Sequence, residues 1–194
     1  QFIDAANVIC FDENGEFDSE KTNEVCSEKL AATENAVIPG FYGAMPNGKV
    51  KTFSRGGSDI TGSLVAKAVG ANLYENWTDV SGFLVADPRI IRNPKVITMI
   101  TYKELRVLAY MGASVLHEDA IFPVRQAGIP INIRNTNDPE APGTMIVANT
   151  CHTPEYTITG IAGVQGFVAV NIEKDMMNSE IGFGRKALGV FEKY

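Results

Sequence analysis

Cysteine and histidine are scarce in this sequence. The chain of 194 residues has three cysteines, Cys10, Cys26 and Cys151, and an odd, widely spaced set does not make a disulfide framework. Free cysteines are typical of a reducing compartment, so we expect a cytoplasmic protein. The two histidines, His117 and His152, are far apart and lack a second ligand at helical spacing. The sequence therefore predicts no structural metal site made by protein side chains.

The sequence also lacks a basic excess and a long apolar run. It has 17 Lys and Arg against 23 Asp and Glu, and the net charge of −6 excludes a protein that binds nucleic acid through dense phosphate contacts. No apolar run approaches the ~20 residues that span a bilayer, so we expect no membrane partner. With 45% hydrophobic and 21% charged residues, the composition is that of a folded domain.

Apolar periodicity and turn residues predict strands that alternate with helices, which is typical of a layered α/β domain. The predicted strands cover residues 6–11, 36–39, 71–77, 131–134 and 144–147, and a hairpin turns at residues 46–48. The predicted helices cover residues 21–33, 58–69, 101–111 and 116–127. Ser58 is the expected cap of the second helix, and Thr101 and Glu104 form a capping box for the third.

A polar connector at residues 151–155 divides the chain into residues 1–150 and residues 151–194. The second part is predicted to hold two strands and one helix, at residues 157–162, at residues 167–172 and from about Ser179. These elements are too few for a core of independent stability. Neither end carries the usual start or stop signals, so we expect a piece of a longer chain.

The loop Arg55-Gly56-Gly57-Ser58-Asp59 leads into the second predicted helix. Glycines let the backbone approach a ligand closely, and a helix N-terminus offers free N–H groups and a positive dipole end. Arg55 suits a carboxylate or phosphate, and Asp59 suits an ammonium group or a metal. The loop is a candidate cradle for a zwitterionic amino acid. The structural alternative is a glycine turn followed by a capped helix.

A second group of polar residues follows the strand predicted at residues 71–77. Thr78 and Asp79 stand at its carboxyl end, where open α/β sheets bind ligands, and Asp87-Pro88-Arg89 comes soon after. A hydroxyl and a carboxylate suit the ribose and base of a nucleotide, and Arg89 suits its phosphates. The alternative is an Asx-type turn and a loop without a ligand.

Several motifs occur in order along the chain. They are Phe53-Ser54-Arg55-Gly56-Gly57-Ser58-Asp59, Trp77-Thr78-Asp79-Val80-Ser81-Gly82, Ala86-Asp87-Pro88-Arg89, Met111-Gly112-Ala113-Ser114-Val115-Leu116-His117, Ile129-Pro130-Ile131-Asn132-Ile133-Arg134-Asn135-Thr136 and Pro142-Gly143-Thr144. This ordered set resembles the aspartokinases of the amino-acid kinase superfamily. The resemblance implies the C-terminal part of a layered α/β sandwich of the amino-acid kinase type. Residues 158–194 resemble the start of an ACT regulatory region, a partial α+β segment.

The resemblance implies transfer of the γ-phosphoryl group of ATP to the side-chain carboxylate of L-aspartate, with Mg²⁺, to give 4-phospho-L-aspartate. This is the first step of lysine, threonine and methionine biosynthesis. Two alternatives stay open. One is an amino-acid-sensing module with a non-catalytic kinase remnant, and the other is a kinase for another carboxylate, such as glutamate or acetylglutamate.

The resemblance also implies a role for each matching residue. Arg55 and Asp59 would be catalytic, and substrate would bind to Arg55, Gly56, Gly57, Ser58 and Asp59. ATP would contact Thr78, Asp79, Leu84, Arg89 and Ser114, although some members of the family carry a tyrosine at the position of Leu84 and many carry a lysine at that of Ser114. An amino-acid effector, lysine or threonine, would bind near Met177, Ser179, Glu180 and Phe183 in a homodimer or higher homo-oligomer of ACT units.

The alternative for that last group is a plain helix start with Ser179 as its cap. The family's Lys-Phe-Gly-Gly segment, which carries a phosphate-contacting lysine, does not occur in these 194 residues. We therefore expect this stretch alone to be inactive.

Overall fold

The computed structural model describes residues 1–110, 118–149, 157–163 and 165–193. They group into two compact units, Gln1–Gly163 and Val164–Tyr194. The domain boundary predicted after residue 150 falls among residues outside these ranges and stays a prediction. Within the described residues, no helix is both long enough and apolar enough to cross a membrane.

The first unit is built from helices and strands in a mixed order. Its helices are α1 (Ser19–Leu30), α2 (Gly57–Ala68), α3 (Tyr102–Tyr110) and α4 (Glu118–Gln126). Its strands are β1 (Tyr42–Ala44), β2 (Val50–Thr52), β3 (Tyr74–Thr78), β4 (Met99–Thr101), β5 (Ile131–Asn135) and β6 (Thr144–Val147). This mixed α/β arrangement confirms the predicted fold class.

A four-stranded sheet with the order β3-β5-β6-β4 positions the candidate site. Strands β3 and β5 run parallel, as do β4 and β6, while β5 and β6 are antiparallel. Tyr74 pairs with Ile131 and Thr78 pairs with Asn135, so the carboxyl ends of β3 and β5 lie side by side. The short β1–β2 hairpin forms a separate antiparallel pair and confirms the turn predicted at residues 46–48.

Two apolar clusters make the core of this unit. The larger cluster joins residues of the sheet to residues of α2, α3 and α4, and it includes Ala66. The second cluster joins the N-terminal segment to α1 and α2, and it includes Leu64. Helix α2 thus contributes a buried side chain to each cluster, because residues two apart on a helix point in different directions.

The capping box predicted at the start of α3 is confirmed. The Glu104 carboxylate accepts hydrogen bonds from the Thr101 N–H at 2.9 Å and from the Thr101 hydroxyl at 2.7 Å, and the Glu104 N–H donates to the same hydroxyl at 3.2 Å. The second carboxylate oxygen accepts from the Thr159 hydroxyl at 2.7 Å. One side chain therefore both starts the helix and holds the segment that follows residue 156.

Two of the predicted strands are wrong. Ala5–Asn7 form a 3₁₀ turn, and only single bridges at Cys10 and Phe11 follow it. The prediction failed because a short buried apolar run has the same pattern in a strand and in other buried segments. At residues 36–39 only Val37 makes a bridge, and its side chain is 67% exposed.

Within its described residues, the second unit has one 3₁₀ turn and one α-helix. Met177–Ser179 form a 3₁₀ turn and α5 spans Phe183–Phe191, which confirms a helix in the last segment. The strands predicted at residues 157–162, which fall in the first unit, and at residues 167–172 are wrong, since the described residues of both stretches form no strand. The ACT-like character of this region stays a prediction.

Candidate active site

Residues 55–59, called the glycine-rich loop below, run into the first turn of α2. Gly56 takes the N-cap position with a φ of 60°, a left-handed backbone that glycine adopts without the steric cost of a Cβ. No side chain caps this helix, so the cap predicted at Ser58 is wrong, and Ser58 lies exposed in the first turn. In the described part of the chain, the N–H groups at this end have no side-chain acceptor, which leaves them available to bind an anion.

Gly57 is required by close packing. A Cβ at this position would lie 2.8 Å from the Phe41 Cα and 3.0 Å from the Phe53 Cβ. The Thr61 hydroxyl donates to the Gly57 carbonyl at 2.8 Å and accepts from the Phe41 N–H at 3.1 Å. The first turn of α2 is therefore held against the segment before β1, and the loop in front of it has a defined position.

Arg55 is exposed at the start of this loop. In the part of the chain that the structure describes, its guanidinium has no hydrogen-bond or ion-pair partner. A guanidinium without an internal partner can form a bidentate pair with a carboxylate or phosphate without first breaking another interaction.

Asp59 lies in the first turn of α2 and contacts β3. Its carboxylate accepts a hydrogen bond of 2.9 Å from the side-chain amide of Asn76, which is 6% exposed. The same amide donates to the Tyr74 hydroxyl at 3.1 Å, and that hydroxyl donates to the Asp59 carbonyl at 3.3 Å. Burial, with the nearby Asp59 charge, raises the pKa of Tyr74, so the phenol stays protonated as a donor. The network joins the glycine-rich loop to the sheet.

Five polar residues meet at the carboxyl ends of β3 and β5. The Thr78 hydroxyl donates to the Asp79 carboxylate at 3.3 Å, and the Thr78 carbonyl accepts from the N–H and hydroxyl of Thr136 at 2.8 and 2.9 Å. The Asn135 amide donates to the Ser81 hydroxyl at 2.8 Å. Thr78 and Asp79 were expected here. Ser81, Asn135 and Thr136 were missed as site residues, although their position after a predicted strand was a usable signal.

Arg89 lies in the loop between β3 and β4, where it forms a bidentate pair with Asp87. Its guanidinium donates at 2.6 and 3.0 Å, and its side chain is 88% exposed. Hydrogen bonds from Arg89 lower the pKa of the Asp87 carboxyl, and the same pairing raises the pKa of Arg89. Any phosphate that binds Arg89 competes with this carboxylate. Leu84, in the same loop, makes a backbone bridge to Val96.

The remaining candidate residues lie elsewhere. Ser114 falls outside the described residues. In the second unit, the Glu180 carboxylate pairs with Lys186 at 2.6 Å and with Lys174, whose ammonium lies 5.4 Å from the centre of the Phe183 ring. Ser179 does not cap α5. Its hydroxyl donates to the Met176 carbonyl, and Gly182 takes the cap position, while Met177 lies in the 3₁₀ turn.

A match to a known family covers residues 55–59 and four of the five polar residues at the ends of β3 and β5, all but Thr136. The sequence profile of the amino acid kinase family matches residues 5–135, which include the glycine-rich loop and the ends of β3 and β5. The chain belongs to the amino acid kinase family. The resemblance inferred from the ordered motifs is thereby confirmed.

Within the amino acid kinase family, the chain is similar to aspartokinases. It is 48% identical to aspartokinase 3 of Bacillus subtilis (strain 168) over 158 residues, which are 81% of this chain and 35% of that protein. Its fold matches the crystal structure of Clostridium acetobutylicum aspartate kinase with a TM-score of 0.85 at 57% identity, over 99% of this chain and 44% of that one. The chain thus spans about a third of the length of the curated relative.

Two structures of Escherichia coli aspartokinase III also match this amino acid kinase. The complex with aspartate and ADP gives a TM-score of 0.69 at 32% identity, over 77% of this chain and 35% of that one. The complex with lysine and aspartate gives 0.71 at 31% identity, over 81% of this chain and 37% of that one.

Proposed function

We propose that this chain is part of an aspartate kinase that acts in the cytoplasm. In the proposed reaction, a side-chain carboxylate oxygen of L-aspartate attacks the γ-phosphorus of ATP. The bond from that phosphorus to the β–γ bridging oxygen breaks, and 4-phospho-L-aspartate and ADP form. The observation that carries the proposal is the link through Asn76 between Asp59, at the uncapped start of α2, and β3, which ends at Thr78, next to Asp79.

The glycine-rich loop supplies binding groups for both charges of an amino acid. Arg55 and the N–H groups at the start of α2 would bind a carboxylate of aspartate, and Asp59 would accept from its ammonium group. Both substrates are anionic where they react, so positioning and charge neutralisation do most of the catalysis. An enzyme of this kind needs no covalent intermediate, in keeping with a site built from binding groups.

The ends of β3 and β5 supply a nucleotide site in this proposal. Thr78 and Asp79 would contact the adenosine. Arg89 would leave its ion pair with Asp87 and bind the phosphates of ATP instead. Leu84 and Ser114 complete the proposed set. The described residues contain no cluster of three or more metal-ligating side chains. Magnesium is commonly held by phosphate oxygens with one or two carboxylates, so it would enter as part of the MgATP substrate.

Regulation by an amino acid is the second half of the proposal. Escherichia coli aspartokinase III has been solved with lysine, and one of the curated relatives is a lysine-sensitive aspartokinase. We propose that lysine or threonine binds near Met177, Ser179, Glu180 and Phe183 in a homo-oligomer. Lys174 lies over the Phe183 ring and pairs with Glu180, so charges of both signs lie near this ring, which suits a zwitterionic ligand.

The deciding experiment uses the intact gene product that contains these residues. With MgATP and hydroxylamine, we expect L-aspartate to give a trappable acyl phosphate, and glutamate and acetylglutamate to give none above background. Equal yields from aspartate and glutamate would overturn the substrate assignment. Lysine binding without acyl phosphate from any of these acids would instead favour the non-catalytic sensing module.

A further inference from the structure

We infer that Asn76 is a positioning residue that holds the Asp59 carboxylate in place for the substrate. The inference rests on the proposed function, in which Asp59 binds the ammonium group of aspartate. Asn76 itself would not touch the substrate. It would act through Asp59. Asn76 lies in the middle of β3, and Asp59 lies in the first turn of α2.

The hydrogen bond between Asn76 and Asp59 has a defined geometry. Asn76 is nearly buried on the sheet face that packs against α2, and its amide nitrogen lies 2.9 Å from one Asp59 carboxylate oxygen. A carboxylate can only accept, so the side of the amide that faces it must be the NH₂ group. A buried polar side chain requires partners of this kind, and the two hydrogens of this group go to Asp59 and Tyr74.

The charge of the partner matters as much as its position. An arginine or lysine at residue 76 would also hold Asp59, but it would neutralise the carboxylate. The Asn76 amide is neutral, so Asp59 keeps its full negative charge for the ammonium group of an amino acid. Among the described residues, Asp59 has no ion-pair partner, and its second carboxylate oxygen accepts no hydrogen bond.

Tyr74 completes the arrangement from the other side. Its hydroxyl accepts from Asn76 and donates to the Asp59 carbonyl, which fixes the amide rotamer. Gly62 allows this approach, because a Cβ there would lie 2.6 Å from the Tyr74 hydroxyl. Asn76 and Tyr74 of β3 thus hold the first turn of α2 and aim the Asp59 carboxylate.

The first test is Asn76→Leu in the intact gene product, which keeps the size of the side chain and removes the donor. We expect the KM for aspartate to rise about tenfold, because a hydrogen bond to a charged group is lost, while the KM for MgATP stays within about twofold. The matched control is Asn132→Leu. Asn132 is a buried asparagine, 8% exposed, on the neighbouring strand β5, and among the described residues it forms no hydrogen bond with Asp59. It measures the cost of burying leucine at an asparagine position.

A double-mutant cycle with Asp59→Asn separates positioning from general destabilisation. If Asn76 acts through Asp59, then Asn76→Leu changes kcat/KM for aspartate by less than about twofold once Asp59 is already replaced. If the two losses multiply, or if Asn132→Leu has the same effect as Asn76→Leu, the inference is overturned. Should Asp59→Asn be too slow to assay, calorimetric titration with aspartate gives the same cycle.

The wild-type protein distinguishes this inference from the proposed function. An intact protein that does not phosphorylate aspartate overturns the function, and the role of Asn76 falls with it. If the protein is active and Asn76→Leu leaves its KM for aspartate unchanged, only the role of Asn76 is overturned.

Discussion

Arg55 and Asp59 place opposite charges at the same end of α2. The two are separated by Gly56, Gly57 and Ser58, and Gly56 takes the left-handed N-cap conformation of α2. Their environments differ. Arg55 is exposed, while Asp59 is partly buried and hydrogen-bonded to Asn76. A zwitterionic substrate would meet an exposed cation and a hydrogen-bonded anion, which suits capture by the first and orientation by the second.

Replacing Arg55 tests the first of these roles. In the intact gene product we expect Arg55→Ala to lower kcat/KM for aspartate by about tenfold or more, because a charge-assisted pair with a carboxylate is lost. Arg55→Lys should restore only part of it, since lysine keeps the charge but not the planar fork. Lys29→Ala, an exposed cation on α1, is the control. An unchanged kcat/KM for Arg55→Ala would remove Arg55 from the site.

At the scale of elements, the start of α3 carries a pH-dependent contact. Hydrogen bonds from the hydroxyl and N–H of Thr101, with that from Thr159, hold the pKa of Glu104 below its ordinary value. A carboxyl whose pKa is lower in the folded protein stabilises the fold above its unfolded pKa. That stabilisation is lost as the pH falls through the folded pKa.

The prediction compares wild type with Glu104→Gln. Glutamine keeps the capping geometry but accepts more weakly than a carboxylate, so the wild type should have the higher Tm near neutral pH. The difference should shrink as the pH falls below the ordinary value of 4.5 for this group, because Glu104 then becomes protonated. Thermal unfolding from neutral pH into this acid range measures it. The exposed Glu28 on α1, changed to glutamine, should give no such trend, and a Glu104→Gln difference independent of pH would contradict the assignment.

At the scale of the whole first unit, α2 joins the two apolar clusters. It packs against α1 on one side and α4 on the other. Leu64 belongs to one cluster and Ala66 to the other, and Ser63, the residue before Leu64, accepts a hydrogen bond from the Val124 N–H at 3.3 Å. Because the helix that carries the candidate site is shared, the site depends on both clusters.

Leu64→Ala tests this dependence. Leu64 is 4% exposed, and we expect its truncation to cost about 2–5 kcal/mol, as buried leucines do. Hydrogen exchange followed by mass spectrometry should show faster exchange in peptides of both clusters. The control is Val69→Ala. Val69 follows the last residue of the same helix and is 50% exposed, so its truncation should change stability and exchange little. Faster exchange confined to the cluster of α1 would contradict a shared helix.

Much of the fold followed from local patterns. The capping box at Thr101, the hairpin turn and the strands β5 and β6 were predicted, since each depends on residues close together in the chain. The strand at residues 6–11 was not, because burial of an apolar run does not specify its backbone. For the candidate site, the glycine-rich loop and Thr78 with Asp79 were found from residue type and order. Asn76, Ser81 and Asn135 were missed, because their partners lie far away in sequence.

By itself, the sequence determined the chemistry of this protein: an acidic chain, a glycine turn flanked by Arg55 and Asp59, and motifs ordered as in an amino acid kinase. Only the tertiary structure decided that Asp59 is held by Asn76 and that Thr78 lies beside Asn135. The physical reason is range. Backbone preference and side-chain charge are properties of a few adjacent residues, whereas strand register and the partner of a buried polar group are set by contacts between distant parts of the chain.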